Sequence, residues 1–313
     1  MNRGVSTGVL VGVVMVVAVV IIAAVMLIPR LLRPHTTRLI TSPLQEIALN
    51  NSLALLKSQY TMWGSMKINI AVIITIKGLS LTVPAIYINS SNLEVSWTDI
   101  ANKPKLYING PATINYTTSL FTSPETLRSQ LVMGIYRNGS QLCAITGQPM
   151  AYKLSDIPLN YTGLLTCGSI PNVQAISELA TEIMYYVYGN LTYIGNEVWN
   201  GQTTYCFTTR KPVIMQLTQE LPTLVGNNVT GIKATLTVRI NRLCLLENGI
   251  ATYVKGSAAL VVSSPKATST VIIHITENLI RYTTVFDAQG FNALLSHPYI
   301  FVTNQKVLVM PFG

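Results

Sequence analysis

Few residues of this chain could carry out acid–base or metal chemistry. Its three histidines are His35, His274 and His297, and none has a spacing that would bind zinc, such as HExxH. His274 shares the strand parity of Ile272, which is typical of a structural residue in a sheet. The pattern therefore predicts no metal site.

Carboxylates are equally scarce, with only 12 Asp and Glu in 313 residues. Glu178 and Glu182 fall one helical turn apart, which would suit a glycosidase pair or a hard-cation site. We interpret them as solvent-exposed residues beside an apolar helix stripe, because nothing nearby supplies the rest of such a site. The chain has no GxGxxG, GxxxxGK[ST] or GxSxG motif. We predict that the protein is not an enzyme and has no cofactor.

The cysteines carry more information. Cys143, Cys167, Cys206 and Cys244 lie in or beside predicted strands, and none is part of a CxxC pair. Three pairings are possible, and four buried thiols acting as small hydrophobic residues are an alternative. Neighbouring strands meet more often than distant ones, which favours Cys143–Cys167 and Cys206–Cys244. Two such bridges would indicate an oxidising compartment.

The composition also favours a domain outside the cytoplasm. Charged residues make up 11% of the chain, whereas soluble domains typically carry roughly 25%. Asn-x-Ser/Thr sequons number seven, where about four would arise by chance. These predicted glycosylation sites are Asn50, Asn89, Asn115, Asn138, Asn160, Asn190 and Asn228.

The N-terminal segment has the composition of a membrane anchor. About 26 residues from Gly4 to Pro29 carry no charged side chain, and roughly 20 apolar residues suffice to cross a bilayer as a helix. We predict a transmembrane helix or signal anchor in residues 1–29 and a basic juxtamembrane linker over residues 30–41. Residues 42–313 form the ectodomain, with a possible subdivision near residues 172–189.

The charges beside the anchor and the sequons point in opposite directions. The positive-inside rule counts Arg30, Arg33 and Arg38 against Arg3, which would place the C-terminal domain in the cytoplasm. The sequons, the cysteines and the low charge favour the outside. We predict a single-pass cell-membrane protein whose C-terminal domain lies outside the cytoplasm.

Residues Arg3-Gly4-Val5-Ser6 stand directly before the apolar run. They resemble the cleavage site of class III, prepilin-type signal peptides, which are known from archaeal surface proteins. The resemblance implies an archaeal surface protein that keeps its apolar segment after cleavage behind Gly4. Pro29 departs from the pilin pattern, because pilin-like subunits continue their first helix well past the apolar part.

The ectodomain shows mostly strand patterns. Ser42-Pro43-Leu44-Gln45 forms a capping-box signal for a helix that would pack through Leu44, Ile47, Ala48 and Leu55. From Met66 to Lys77, apolar and polar residues then alternate as in a half-buried strand. Similar alternation recurs along the chain, with turn signals at Asn109-Gly110-Pro111, Asn138-Gly139, Asn200-Gly201 and Asn248-Gly249.

Two further helices are predicted, one at Asn172–Tyr188 with an apolar stripe and a weaker one at Val213–Leu221. We therefore predict an α+β fold: an N-terminal transmembrane helix followed by a β-rich, mostly antiparallel domain with a few helices on one face.

The segment from Tyr193 to Phe207 reads YIGNEVWNGQTTYCF. It resembles the hairpin of LolA-like lipoprotein carriers, in which Gly-x-Glu-x-x-x-Gly precedes an aromatic strand. The resemblance implies an incomplete barrel that holds acyl chains or other hydrophobic ligands between its sheet and its helices.

These patterns favour a non-catalytic, membrane-anchored cell-surface or envelope protein with a structural or adhesive role. A membrane-tethered, LolA-like binder of lipid or hydrophobic solutes and a pilin-like filament subunit are the alternatives. The predicted partners are the membrane, other surface proteins or further copies of the chain, and lipid in the second case. No nucleic acid is expected, because the excess of basic residues forms no cluster with exposed aromatic residues.

Overall fold

Alternating apolar and polar residues fold most of the chain into strands. A computed structural model describes residues 43–76, 79–100, 103–116, 125–139, 141–147, 163–169, 183–217, 233–264, 267–296 and 300–303. The strands are β1 (Gln59–Ile76), β2 (Leu79–Thr98), β3 (Lys105–Tyr116), β4 (Glu125–Asn138), β5 (Gln141–Gly147), β6 (Gly163–Ser169), β7 (Leu191–Trp199), β8 (Gln202–Thr209), β9 (Val213–Gln216), β10 (Lys233–Leu246), β11 (Ala251–Ser263), β12 (Ala267–Thr283) and β13 (Ile300–Thr303). The helices are α1 (Pro43–Ala54), which continues into a 3₁₀ turn (Leu55–Lys57), α2 (residues 183–189) and α3 (Ala288–Ser296).

All of these strands belong to one 13-stranded sheet, in the order β13-β6-β5-β4-β3-β2-β1-β12-β11-β10-β8-β7, with β9 also paired to β10. Every pair is antiparallel except β13 with β6. The first long strand, β1, pairs along its length with β12. Strands from both sides of residues 172–189 therefore lie in the same sheet.

The two faces of the sheet are covered differently. We call the face that carries Ile68, Ile70 and Val72 the inner face, and both α1 and α2 pack against it in one apolar core. On the opposite, outer face, Phe291 and Leu294 of α3 form a smaller cluster with other buried apolar and aromatic residues. The inner face is thus the main core of the described structure.

The α+β assignment is wrong, because the described chain is mostly antiparallel β-sheet with few helices. The weaker predicted helix is wrong at its start, since Val213–Gln216 is strand β9, held to β10 by sheet pairing that local propensity cannot foresee. Residues 183–188 are helical as predicted and the helix includes Gly189 as well, while residues 172–182 of the predicted helix lie outside the described residues. None of the described helices has the length and hydrophobicity to cross a bilayer. The predicted anchor in residues 1–29 and the linker over residues 30–41 lie outside the described residues.

Helix α1 begins where the capping signal predicts, and its predicted packing residues Ala48 and Leu55 contact the core, but Leu44 and Ile47 do not. Leu44 is 44% exposed and Ile47 is 39% exposed, whereas Ala48, Leu49 and Leu53 are buried. The β10–β11 turn sets this rotation. The Asn51 amide donates a 2.7 Å hydrogen bond to the Glu247 carbonyl, and the Gly249 backbone comes so close that a Cβ there would lie 2.0 Å from the Ser52 nitrogen.

Three of the predicted turns are confirmed. Gly139, Gly201 and Gly249 have positive φ angles in the connections between consecutive strands, a backbone conformation that glycine adopts readily. The fourth prediction is wrong, since Asn109-Gly110-Pro111 lies inside β3. The β2–β3 pairing is interrupted by a bulge between Asn89 and Glu94, so the missing N–H of Pro111 breaks no ladder bond on that side.

Both disulfides join directly paired residues of neighbouring strands. Cys143–Cys167 links β5 to β6, and Cys206–Cys244 links β8 to β10. These are the pairings that the sequence predicts.

Candidate functional site

A carboxylate interrupts the apolar inner face. Along β12, Val271, Ile273, Ile275 and Leu279 are buried at alternate positions, and Glu277 occupies the remaining position of this series. Because side chains of equal parity point to one face of a strand, Glu277 points to the same side as the core. Among the side chains that the structure describes on the inner face of the sheet, it is the one acidic group.

The residues across the strands from Glu277 are apolar. Glu277 pairs with Met66 of β1 on one side and with Val254 of β11 on the other. The same row continues through Leu243 to Phe207. These four neighbours are at most 9% exposed, whereas Glu277 itself is only half-buried. The Glu277 side chain is therefore less enclosed than its four apolar neighbours.

Helices α1 and α2 bring two hydroxyl groups together within the core of the inner face. The Ser52 hydroxyl of α1 and the Tyr188 hydroxyl of α2 share a 3.0 Å hydrogen bond. Burial raises the pKa of Tyr60, and charge on Glu277 and Tyr188 raises it further. Burial also raises the pKa of Tyr188 to about 12, against the opposing hydrogen bond from Ser52. Both phenols thus stay neutral near physiological pH.

Burial raises the pKa of Glu277 from 4.5 to about 7. The basic residues of the strands around β12 do not oppose this shift, because they lie on the outer face. Lys67 and Lys255 are both paired with Thr276, and Arg239 lies in the same cross-strand row as His274. Near neutral pH, Glu277 is therefore divided between its neutral and its charged form, and it can exchange a proton there.

Glu277 is not among the site residues that the sequence predicts. The signal was available, because Glu277 continues the alternation of Val271, Ile273 and Ile275 by one further step. A charged residue at the end of such a series is commonly solvated, so the alternation alone does not distinguish a strand end from an interior position. Of the two residues that flank it, Val254 lies in the preceding strand β11, but Met66 comes from β1, at a distant part of the chain.

A second pair of carboxyls, Glu94 and Asp287, lies on the outer face. Burial raises the pKa of Glu94, and the charge and hydrogen bond of Asp287 add to the increase. Asp287 also caps α3, since its Oδ1 accepts a 2.9 Å hydrogen bond from the Gly290 N–H, and its own N–H donates to the Ser96 hydroxyl at 2.7 Å. These contacts attach α3 to the sheet, which accounts for the pair without a ligand.

Glu197, Cys206 and Cys244 are residue types that bind metals, and their ligand atoms lie within 4.8 Å of one another. Both sulfurs are in the disulfide, so they are not thiolate ligands. Glu197 instead forms an ion pair with Arg242. Glu178 and Glu182 lie outside the described residues, as do His35 and His297, and His274 is an exposed residue of the outer face.

The predicted glycosylation sites differ in accessibility. Asn50, Asn138 and Asn190 are exposed, whereas Asn89 and Asn115 are half-buried within β2 and β3. The Asn190 side chain is engaged, because its amide donates a 2.7 Å hydrogen bond to the Tyr186 carbonyl. Asn160 and Asn228 lie outside the described residues. Asn50 and Asn138 are thus the most accessible described acceptors.

Comparison of the sequence with protein-family models and with curated proteins found no match in either case. We therefore infer the function from the side chains of the inner face, above all Glu277.

Proposed function

We propose that the protein is a membrane-anchored, extracytoplasmic binding protein that holds an amphiphilic molecule against the inner face of its sheet. The observation that carries this proposal is Glu277. A carboxyl group placed in an apolar row loses hydration and lowers stability, so an apolar residue would serve the fold better. An ionisable group that the fold does not need and that is only half-buried indicates a binding role.

Apolar surface for the rest of such a ligand is present beside Glu277. Ile86 and Ile88 of β2 point to the inner face, in register with Ile70 and Ile68 of β1. Both are only partly buried, although they pack against the main core. An alkyl chain placed there would remove further apolar surface from water, which stabilises the complex by about 25 cal/mol per Å². The resemblance of residues 193–207 to LolA-like carriers points the same way.

Photoaffinity labelling of the full-length protein in nanodiscs tests the proposal. A photoreactive long-chain alcohol should label peptides of β2 and β12, and an excess of unreactive alcohol should abolish the labelling. Val198 and Ile214 are 76% and 57% exposed, so labelling of their peptides measures non-specific contact. Labelling confined to residues 4–29 and to such exposed sites would contradict the proposal.

A structural or adhesive surface protein is the second candidate. Close packing favours it, because Ala48, Leu49 and Val187 of the two helices are at most 2% exposed. In that case the helices only complete the core, and no labelling of β2 or β12 is expected. A pilin-like assembly has no comparable support among the described residues.

The proposed location follows from the apolar segment at residues 4–29, the sequons and the disulfides. Protease added to intact cells should remove the domain, and the native protein should be heavier than 34.2 kDa. Replacing the exposed Asn138 with Gln should lower that mass by one glycan, while the same change at the half-buried Asn115 should have less effect. Full protection together with an unmodified mass would contradict this location.

A further inference from the structure

We infer that the outer face of the sheet binds an acidic polysaccharide, which is a chain of sugars that carry carboxylate groups. The binding surface is a row of basic and hydroxyl-bearing side chains that crosses the strands from β4 to β10. It lies on the opposite face from the ligand proposed above, so this inference does not depend on the proposed function.

Cross-strand pairing places these side chains in two adjacent rows, which we call the basic strip. The first row consists of Arg128, Thr113, Asn89, Lys67, Thr276, Lys255 and Arg242. The second row consists of Tyr87, Asn69, His274, Ser257 and Arg239. Lys67 stands between the buried residues Met66 and Ile68, so its row points to the outer face. Because neighbouring strands lie about 4.8 Å apart, the first row is roughly 29 Å long.

The basic strip carries positive charge without a carboxylate in either row. Lys67, Lys255 and Arg239 are exposed, while Arg242 forms an ion pair with Glu197. Lys255 lies directly opposite Arg242, and like charges at such positions lower the stability of a sheet. Basic residues that the fold does not require, placed together on one face, produce a positive potential that attracts an anionic partner.

The neutral residues of the basic strip favour a sugar chain as this partner. Thr276 lies between Lys67 and Lys255. Ser257 separates His274 from Arg239. The hydroxyl groups can donate and accept hydrogen bonds with sugar hydroxyls, and the lysine and arginine side chains can pair with carboxylates. Such a row suits a linear chain that carries carboxylates at intervals.

The basic strip lacks the features that other anionic partners use. None of its side chains is an exposed large apolar residue, whereas helices that bind a membrane surface insert such residues into the bilayer. Its aromatic residue, Tyr87, is half-buried, and single-stranded nucleic acids stack their bases on accessible aromatic rings. A polysaccharide requires neither feature.

The first test compares two ligands of the full-length protein in nanodiscs of zwitterionic lipid. One is an oligogalacturonate long enough to span the basic strip, and the other is its methyl ester, which has the same sugar chain without the charge. At low ionic strength the acidic chain should bind about tenfold more tightly, and added salt should reduce this difference. Equal binding of the two ligands would overturn the inference without the use of any variant.

The second test replaces three residues of the basic strip, in the variant Lys67→Gln, Lys255→Gln, Arg239→Gln. Binding of the oligogalacturonate should weaken by about tenfold, because three exposed ion pairs are lost. A matched control variant has the same change in net charge at three exposed residues outside the strip, which are Lys57, Lys103 and Arg137. Its binding should weaken by less than about twofold. Equal losses in both variants would mean that only the net charge matters, which would overturn the inference.

Competition experiments distinguish the class of the anionic partner. At an equal concentration of charge, unlabelled oligogalacturonate should displace the bound chain better than oligothymidylate or vesicles of phosphatidylglycerol. Better displacement by either competitor would overturn the assignment to a polysaccharide, in favour of a nucleic acid or a membrane surface. These outcomes leave the proposed function standing, because photoaffinity labelling of the inner face measures that function separately.

Discussion

The wild-type protein should lose roughly 3 kcal/mol of folding stability between pH 4.5 and 7, and the Glu277→Gln variant should not. In the unfolded chain the carboxyl ionises at the lower of these two pH values, and in the folded protein at the higher. Between them, unfolding releases a proton. Rising pH therefore favours the unfolded state across this window and has no further effect through Glu277 above it.

The measurement is the free energy of unfolding by denaturant at pH 4.5, 6 and 8 for the wild-type protein and two variants. Fluorescence can follow it, because Trp63, Trp97 and Trp199 all lie in the sheet. Other carboxylates also titrate, so the informative quantity is the difference between wild type and Glu277→Gln. Glu247→Gln, which changes an exposed carboxylate, should follow the wild type. Parallel curves for Glu277→Gln and wild type would show that Glu277 is solvated in the folded protein.

Removing either disulfide should have an effect of similar size. Cys143–Cys167 spans 24 residues and Cys206–Cys244 spans 38. Without a cross-link the unfolded chain has more conformational freedom. Each missing bridge therefore lowers the stability of the folded state by roughly 3 to 4 kcal/mol, slightly more for the longer loop. Paired Cys→Ala variants should show these losses in chemical denaturation.

Reduction of the wild-type protein opens both bridges, so it should reproduce the effect of replacing all four cysteines with Ala, and that variant is its matched control. Peptide mapping without reduction should recover the two expected cross-linked pairs. A loss below about 1 kcal/mol for both bridges would mean that the cross-links constrain little of the unfolded chain. Detection of four alkylatable thiols in the native protein would show that neither bridge forms, and it would weaken the case for an oxidising compartment.

Local patterns in the sequence were sufficient for the elements that depend on neighbouring residues. The alternation through Ile68, Ile70 and Val72 predicts β1 because a strand turns successive side chains to opposite faces. The capping signal at Ser42–Gln45 locates the start of α1, and Asn-Gly pairs locate turns because they tolerate positive φ. The disulfide pairing followed from proximity along the chain.

Contacts between distant segments decided the rest. The pairing of β1 with β12 joins opposite ends of the described chain, and no local pattern specifies it. The turn at Gly249 rotates α1 so that Leu49 is buried and Leu44 is exposed. The same long-range pairing places Met66 of β1 on one side of Glu277, opposite Val254 of the neighbouring strand β11. Sequence alone determined the residue types and the periodicity, whereas burial depends on which strands become neighbours, and only the tertiary structure placed a carboxyl group in the apolar face.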